Sequence, residues 1–227
     1  NANLDVSGAM TAECWVYITD MPDQNIGTVG QGYLISRWTA SGNHRSWCFI
    51  YGNNGDIAFY SSSNGGSSYT ISTATGALSA HRWIHVAASW DGTNQRLFID
   101  GDLKVTTANA SGPYSTPSSG FTVNTINTNL TGTGNNQYIA DARYFRDAAI
   151  YTSNFTPPTA PLTATSGSDT AAVLLNFQDA GIYDKSGINN IDTVGNAQID
   201  TAVKKYGTGS IEFDGTGDYL DIPGSED

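Results

Sequence analysis

Residues 83–101 constrain the fold of this chain most strongly, because alternating apolar side chains are joined there by two turn sequences. β-Branched and aromatic residues are typical of strands, and alternation places every second side chain on the same face. The side chains predicted to share one face are Ile84, Val86, Ala88, Leu97 and Ile99. Turns are predicted at Asp91-Gly92 and Asp100-Gly101, which supply the positive φ angles of tight hairpins. The stretch therefore predicts an antiparallel meander with the strand 83–90 inside a sheet.

Composition extends this prediction to the whole chain. A length of 227 residues suits one all-β domain, and 25 glycines agree with many short strands joined by turns. No apolar run approaches the ~20 residues that a membrane span needs, so we expect no membrane insertion. The net charge of −11, with only 10 Lys and Arg, argues against nucleic acid and anionic membrane surfaces as partners. Cations, neutral polysaccharides and basic proteins remain compatible with it.

Four stretches resemble a known family. The central one reads Trp-x-His-Val-Ala, a short Asp-Gly turn, and then Leu-Phe-Ile-Asp-Gly; the others are residues 11–17, 138–144 and 149–161. Together they resemble laminin-G-like domains of the concanavalin A-like lectin/glucanase superfamily. The last stretch is similar to a tail of phage and marine bacterial members. The resemblance implies an all-β fold, a jelly-roll sandwich of two antiparallel sheets.

The same resemblance divides the chain into three parts. Residues 1–151 are predicted to form the main body of the sandwich, and residues 152–169, with three prolines, a linker. Residues 170–227 resemble the opening strands of a repeat, which in the family precede the strand found here at 13–17. These strands can close the same sandwich in cis or complete a neighbouring copy in trans. We favour closure in cis, because effective concentration favours the intramolecular partner.

Catalysis is not expected from the motifs present. Glycoside hydrolases of the resembled superfamily carry paired carboxylates on one strand, whereas Glu occurs here only at positions 13, 212 and 226. Glu13 and His85 fall at family positions that are structural. Neither Ser nor Cys stands in a nucleophile motif with a histidine. Cys14 and Cys48 lie inside predicted strands and are expected to be unpaired, with one disulfide as the alternative.

Binding is the favoured function, because aromatic faces and polar side chains are what sugars require. The candidates lie at strand ends or in loops: Trp38, Tyr60, Tyr69 and Tyr114 as aromatic platforms, with Arg37 and Arg45 as hydrogen-bonding partners. Trp38 is the first candidate. The alternative for each aromatic residue is an ordinary half-buried position in a strand. For either arginine, a solvated loop position is an equal alternative.

Calcium is the one cofactor that the sequence suggests. Calcium prefers several carboxylate and carbonyl oxygens from a tight loop, and the best acidic loops contain Asp184, Asp214 and Asp218. The alternative is that these side chains cap turns by accepting hydrogen bonds from backbone N–H groups.

The predicted function is that of a non-catalytic attachment module of a phage fibre, another virion protein or a cell-surface adhesin. Its partner would be a surface polysaccharide or a protein receptor, and its location the virion or the cell surface. The alternative is a structural module that joins neighbouring subunits or repeats head to tail by strand donation. A glycoside hydrolase-like enzyme is a remote third hypothesis.

Overall fold

The structure is a computed structural model that describes residues 4–27, 30–116, 118–125, 135–178, 181–187 and 189–223. Strands dominate these residues, and one short 3-10 helix lies at Ser41–Asn43. The strands are β1 (Met10–Ile18), β2 (Gly32–Thr39), β3 (His44–Tyr51), β4 (Ile57–Ser62), β5 (Tyr69–Ala74), β6 (Trp83–Trp90), β7 (Asn94–Ile99), β8 (Asp102–Ala108), β9 (Phe121–Val123), β10 (Asn136–Phe145), β11 (Thr165–Ser166), β12 (Asp169–Thr170), β13 (Val173–Leu175), β14 (Asp192–Val194), β15 (Gln198–Asp200), β16 (Ser210–Asp214) and β17 (Tyr219–Ile222).

Two antiparallel sheets form a sandwich, as predicted. The eight-stranded sheet has the order β15-β16-β10-β1-β6-β7-β8, with β13 paired to β10 beside β16. The seven-stranded sheet has the order β14-β17-β9-β2-β3-β4-β5. The predicted interior position of β6 is confirmed, because β1 and β7 pair with its two edges. No helix among the described residues has the length and apolar character of a membrane span.

The predicted meander has the expected geometry. Gly92 and Gly101 turn the chain at φ angles of 95° and 81°, which favour glycine. The five side chains predicted to share one face are all buried in the main core. That core lies between the sheets, and its largest fully buried aromatic side chains are Trp47, Tyr51, Tyr144, Phe49, Phe59, Phe121 and Phe213. Alternation in the sequence therefore identified the side chains that face the main core.

The C-terminal segment contributes strands to both sheets of the same chain. β16 pairs with β10, and β17 pairs with β9. The apolar side chains of these strands, including Ile211, Phe213, Leu220 and Ile222, are fully buried in the main core. The strands of the C-terminal segment therefore find their pairing partners and their buried positions within the same chain. Closure in cis in solution remains a prediction, which the mass of the protein in solution would test.

Residues 152–169 do not form a free linker in the structure. The rings of Tyr151 and Phe155 stack at 3.6 Å, and Phe155 also contacts the rings of Phe98 and His85 on the outer face of the eight-stranded sheet. The Phe155 N–H donates to the carbonyl of Gly101 at 3.0 Å. A Cβ at Gly101 would lie 2.0 Å from the Phe155 carbonyl oxygen. Glycine at this turn therefore permits the close approach that fixes the segment to the sheet.

A buried ionic cluster lies under this segment. The Glu13 carboxylate is fully buried; Arg143 Nε donates to its Oε1 at 2.8 Å, and the Tyr151 hydroxyl donates to its Oε2 at 2.9 Å. His85 Nε2 lies 3.1 Å from the same Oε2. Burial by itself raises the pKa of Glu13, but the hydrogen bond with His85 and the positive charge of Arg143 hold it below its ordinary value. The arrangement matches the structural interpretation of Glu13 and His85.

Cys14 and Cys48 are both buried free thiols, as predicted. They lie on different sheets, and burial raises the pKa of each thiol. Both side chains therefore behave as small apolar groups.

Candidate ligand-binding surface

The outer face of the seven-stranded sheet carries a group of aromatic side chains at β2, β4 and β5. On β4, Ile57 and Phe59 belong to the main core, so Tyr60 points to the opposite face. On β5, Ser72 is buried, whereas Tyr69 and Ile71 are 38% and 43% exposed. Alternation along neighbouring strands therefore brings large side chains together on a face that the other sheet does not cover.

The rings of Trp38, Tyr60 and Tyr69 form a compact group, here called the ring cluster. The Trp38 centroid lies 5.2 Å from that of Tyr69 and 6.4 Å from that of Tyr60, and the two tyrosine rings are 6.0 Å apart. These spacings are those of favourable aromatic pairs. The structure thus unites three of the four aromatic residues singled out in the sequence.

Within the ring cluster, the ligand-facing role predicted first for Trp38 needs correction. Trp38 is only 5% exposed and packs in a small apolar cluster with Tyr33, Cys48 and Ile50. Tyr60 is half-buried. Since Tyr69 is the most exposed of the three rings, Trp38 forms the floor of the surface and Tyr69 its accessible part.

Arg45 lies beside the ring cluster, because the strand register pairs it with Trp38. Its Nη1 donates to the carbonyl of Gly65 at 3.4 Å, and its backbone N–H donates to the same carbonyl at 3.2 Å. Gly65 has a φ of 77°, and a Cβ there would lie 1.9 Å from the Asn43 carbonyl oxygen. The loop between β4 and β5 can therefore lie directly against Arg45 only with glycine at this position.

Tyr114 joins the same region from a distant part of the chain. Its backbone N–H donates to the carbonyl of Ser62 at 2.7 Å, and a Cβ on Gly65 would lie 2.8 Å from its ring. The Tyr114 side chain is 38% exposed. It therefore extends the aromatic surface across the loop between β4 and β5.

Arg37 does not belong to this surface, contrary to the prediction. Its side chain is completely buried; Nη2 donates to the carbonyls of Ser119 and Thr116 at 2.7 and 2.8 Å. The same nitrogen lies 3.2 Å from a carboxylate oxygen of Asp5. A register shift separates Arg37 from Trp38 on β2. Because a ligand in solvent cannot reach this guanidinium, Arg37 instead holds the backbone carbonyls of Thr116 and Ser119.

The ring cluster provides neutral groups. Burial raises the pKa of Tyr60, and the nearby Cys48 and Tyr69 raise it further. Its phenol is therefore a neutral hydrogen-bond donor at ordinary pH. Together with the half-exposed guanidinium of Arg45, the surface presents apolar ring faces, hydroxyl groups and one cation. Sugars use such groups through stacking on C–H patches and hydrogen bonds to hydroxyls.

Ile71 was not identified from the sequence, although it lies two residues beyond Tyr69 on β5 and opposite Tyr60 on β4. Ile71 is 43% exposed. Among the large hydrophobic side chains that are exposed in the described residues, it is the one aliphatic residue. Alternation within 69–74 would have identified it, because Ile71 shares the outward face with Tyr69.

The acidic residues suggested for calcium serve turns. Asp184 accepts hydrogen bonds from the backbone N–H groups of Leu174, Ser186 and Asn189. It also accepts from the Ser186 hydroxyl and the Asn189 side-chain amide. Both oxygens of this carboxylate therefore have hydrogen-bond partners within the protein, and calcium binding at Asp184 stays a prediction. Asp214 accepts from Thr216 and Asn196, and Asp218 accepts from the N–H groups of Asn196 and Asp214. In the described part of the chain, no three His, Cys, Asp or Glu side chains converge as metal ligands do.

Comparison with protein families decides the identity of the fold. The Laminin_G_3 family model, described as the concanavalin A-like lectin/glucanases superfamily, matches residues 1–158. The chain belongs to this family. The matched residues include β1 to β10, and with them the ring cluster, Arg45 and Tyr114. No curated protein matches the chain significantly.

One solved structure shows the same fold at low sequence identity, and a second matches a smaller part of the chain. A Bacteroides ovatus protein, described as a candidate carbohydrate binding protein, aligns over 97% of this chain with a TM-score of 0.54 and 13% identity. The chain covers 54% of that protein. The CBM40 module of a Ruminococcus gnavus IT-sialidase, bound to α2,3 sialyllactose, aligns over 48% of this chain and 58% of its own, with a TM-score of 0.38 and 15% identity.

Proposed function

We propose that the protein is a non-catalytic carbohydrate-binding module, which uses the outer face of the seven-stranded sheet. The observation that carries the proposal is the ring cluster, whose exposed member Tyr69 shares the outward face of β5 with Ile71. Arg45 is paired with Trp38, and Tyr114 lies near Gly65 in the loop between β4 and β5. Aromatic side chains supply a large rigid contact area at low entropic cost, and their polar tips supply hydrogen bonds. The carbohydrate-binding description of the Bacteroides ovatus protein supports the same class of ligand.

A binding role is also supported over an assembly role by where large apolar side chains are exposed. Those in the described residues are Tyr69, Ile71, Tyr114 and Tyr183. Three of the four lie on or beside the ring cluster, whereas an assembly module should expose apolar groups at the chain ends. Contacts with neighbouring subunits or repeats stay a secondary hypothesis. The resemblance of residues 149–161 to phage and marine bacterial tails supports a virion or cell-surface location.

The carboxylates support a non-catalytic function. Glu13 is buried and fully engaged by its hydrogen-bond partners, and Glu212 accepts hydrogen bonds from Tyr138 and Gln198 at 3.2 and 3.1 Å. The paired, accessible carboxylates of a glycoside hydrolase require a different arrangement. Glu226 lies outside the described residues.

The test is a glycan array probed with and without calcium, followed by affinity measurements on the best glycan. Tyr69→Ala should weaken binding about tenfold or more, since stacking on an exposed ring is lost. Its free energy of unfolding should fall by about 1–2 kcal/mol, because the ring contacts with Trp38 and Tyr60 are lost although part of the side chain is exposed. Tyr183→Ala, which removes another exposed tyrosine, is the matched control and should leave affinity unchanged. Equal affinities for the wild type and Tyr69→Ala would contradict the proposed site.

The calcium arm of the array tests the cofactor hypothesis separately. Binding that disappears with a chelator and returns with calcium would establish a cation requirement. Asp214→Asn and Asp218→Asn would then show whether the turn between β16 and β17 holds the ion.

A further inference from the structure

A continuous row of large side chains crosses the outer face of the eight-stranded sheet. Strand register places Trp83 opposite Tyr17, Tyr17 opposite Tyr138, Tyr138 opposite Glu212, and Glu212 opposite Gln198. The row runs perpendicular to β6, β1, β10, β16 and β15. At a strand spacing of about 4.8 Å, five strands give a row of roughly 19 Å. We call these five residues the cross-strand row.

The cross-strand row is accessible to solvent. Trp83, Tyr17, Tyr138 and Glu212 are half-buried, and Gln198 is exposed. The Tyr17 ring lies 5.8 Å from Trp83 and 5.9 Å from Tyr138, in tilted and edge-on arrangements. Three adjacent rings thus form an aromatic section, and two polar side chains continue the same line.

The polar end of the row is acidic. The Tyr138 hydroxyl donates to Glu212 Oε1 at 3.2 Å, and Gln198 Nε2 donates to Glu212 Oε2 at 3.1 Å. Burial raises the pKa of Tyr138, and the negative charges of Glu212 and Asp200 raise it further. Two carboxylates therefore lie close enough to act on the Tyr138 hydroxyl. The chain as a whole, with these two carboxylates included, has a net charge of −11.

The same sheet face already holds an ammonium group. Lys205 Nζ lies 3.6 Å from the centre of the Trp15 ring and 5.1 Å from that of Tyr206. Trp15 is two residues from Tyr17 on β1, so both rings point to the same side of the sheet. Lys205 is held over its own aromatic pair and does not cover Tyr17, Trp83 or Tyr138. The His81 ring lies edge-on to Tyr17 at 6.5 Å, beside the aromatic section. The Lys205 contact is one example on this face of a cation against aromatic rings.

We propose that the cross-strand row is a second ligand site, which binds a saccharide carrying protonated amino groups. The rings of Trp83, Tyr17 and Tyr138 contact the sugar faces and the ammonium groups, and Glu212 accepts hydrogen bonds from an ammonium at the polar end. Acidic saccharides are repelled by Glu212 and Asp200. The site lies on the opposite sheet from the ring cluster, and neither site depends on the other.

The experiment compares three oligosaccharides of equal length, namely a glucosamine oligomer with free amines, its fully N-acetylated form and a uronic acid oligomer. Calorimetric titration at a mildly acidic pH keeps the amines protonated. The free-amine oligomer should bind tightest, and its affinity should fall with added salt. Preference for the N-acetylated or the uronic acid oligomer would overturn the proposal.

Variants separate the row from general attraction to an acidic protein. Trp83→Ala should weaken binding of the free-amine oligomer about tenfold, and Glu212→Gln about threefold or more, by loss of ring and carboxylate contacts. Asp192→Asn removes one exposed carboxylate from the other sheet and should change affinity less than about twofold. Losses of equal size in Glu212→Gln and Asp192→Asn would show charge attraction alone and overturn the site.

Two further controls separate loss of the second site from loss of folding and from failure of the proposed ring-cluster site. Glu212→Gln keeps the size of the side chain, so it tests the site even if Trp83→Ala fails to fold. Tyr69→Ala should bind the free-amine oligomer as the wild type does. A loss in Tyr69→Ala together with unchanged binding in Trp83→Ala would place the amino sugar at the ring cluster and overturn the proposal.

Discussion

The outer faces of the two sheets both carry aromatic side chains, but the chain covers them differently. On part of the eight-stranded sheet, Tyr151 and Phe155 lie over His85 and Phe98 and the segment encloses the charges around Glu13, while the cross-strand row on the same sheet stays accessible. On the seven-stranded sheet, the described residues leave Tyr69 and Ile71 exposed. An aromatic residue covered by its own chain contributes to stability, whereas an uncovered group is available to a ligand.

The polar groups under and beside the aromatic residues follow the same division. Charges under the covering segment have partners, because an unpaired buried charge is costly. The open face instead presents tyrosine hydroxyls and the half-exposed Arg45, which can exchange water for ligand groups. Changes in the covered region should therefore affect stability first, and changes on the open face should affect binding first.

The largest effect is expected from breaking the ionic cluster of the covered region. Glu13→Ala would leave Arg143, His85 and Tyr151 without their common acceptor. Removing one partner of a buried ion pair costs about 3–5 kcal/mol of unfolding free energy, which denaturant unfolding would measure. Glu212→Ala is the matched control and should cost less than about 1 kcal/mol, since Glu212 is half-exposed. A loss of similar size in both variants would contradict the distinction between the two glutamates.

A smaller, pH-dependent effect is expected at Asp141, which is fully buried on β10 near the same cluster. Its Oδ1 accepts a hydrogen bond from the Leu162 N–H at 3.1 Å, and Oδ2 has no partner. Burial raises the pKa of this carboxyl to about 7, and the charge of Glu13 adds to the effect. Because the folded pKa lies above the unfolded one, the protonated group stabilises the fold at low pH. That contribution is lost as the pH rises from about 4 to 7.

Asp141→Asn should remove this dependence. Asparagine keeps the acceptor for Leu162 and tolerates the φ of 52° at this position. The variant should be more stable than the wild type at about pH 8, by up to roughly 4 kcal/mol, and no more stable below about pH 4. Thermal or urea unfolding across this range measures the difference. An equal gain at every pH would show that the charge of Asp141 is not the cause.

The sequence predicted those features that depend on neighbours along the chain. Alternation in 83–90 identified the buried face of β6, and family resemblance identified the two-sheet sandwich. Trp38, Tyr60 and Tyr69 were singled out individually. These three rings come together because β2 pairs with β3, β3 with β4 and β4 with β5. Local sequence patterns suggested these strands but did not fix their register.

Features that depend on long-range register could not be predicted. A register shift at Arg37 separates its side chain from that of Trp38, and nothing in the local sequence signals this irregularity. The cross-strand row joins Tyr17, Trp83 and Tyr138 to Glu212 and Gln198 across strands from both ends of the chain. Trp83 was not among the aromatic candidates from the sequence, because only the register reveals which side chains continue its row.

Mapping of a bound glycan by NMR tests the central claim most directly. Backbone amide signals of the protein would be followed during titration with the best glycan from the array. We predict chemical-shift changes at residues 69–71 and at Arg45 on the open face, with signals of 151–155 unchanged. Changes centred on 151–155, with 69–71 unaffected, would contradict the assignment of the open face as the carbohydrate-binding surface.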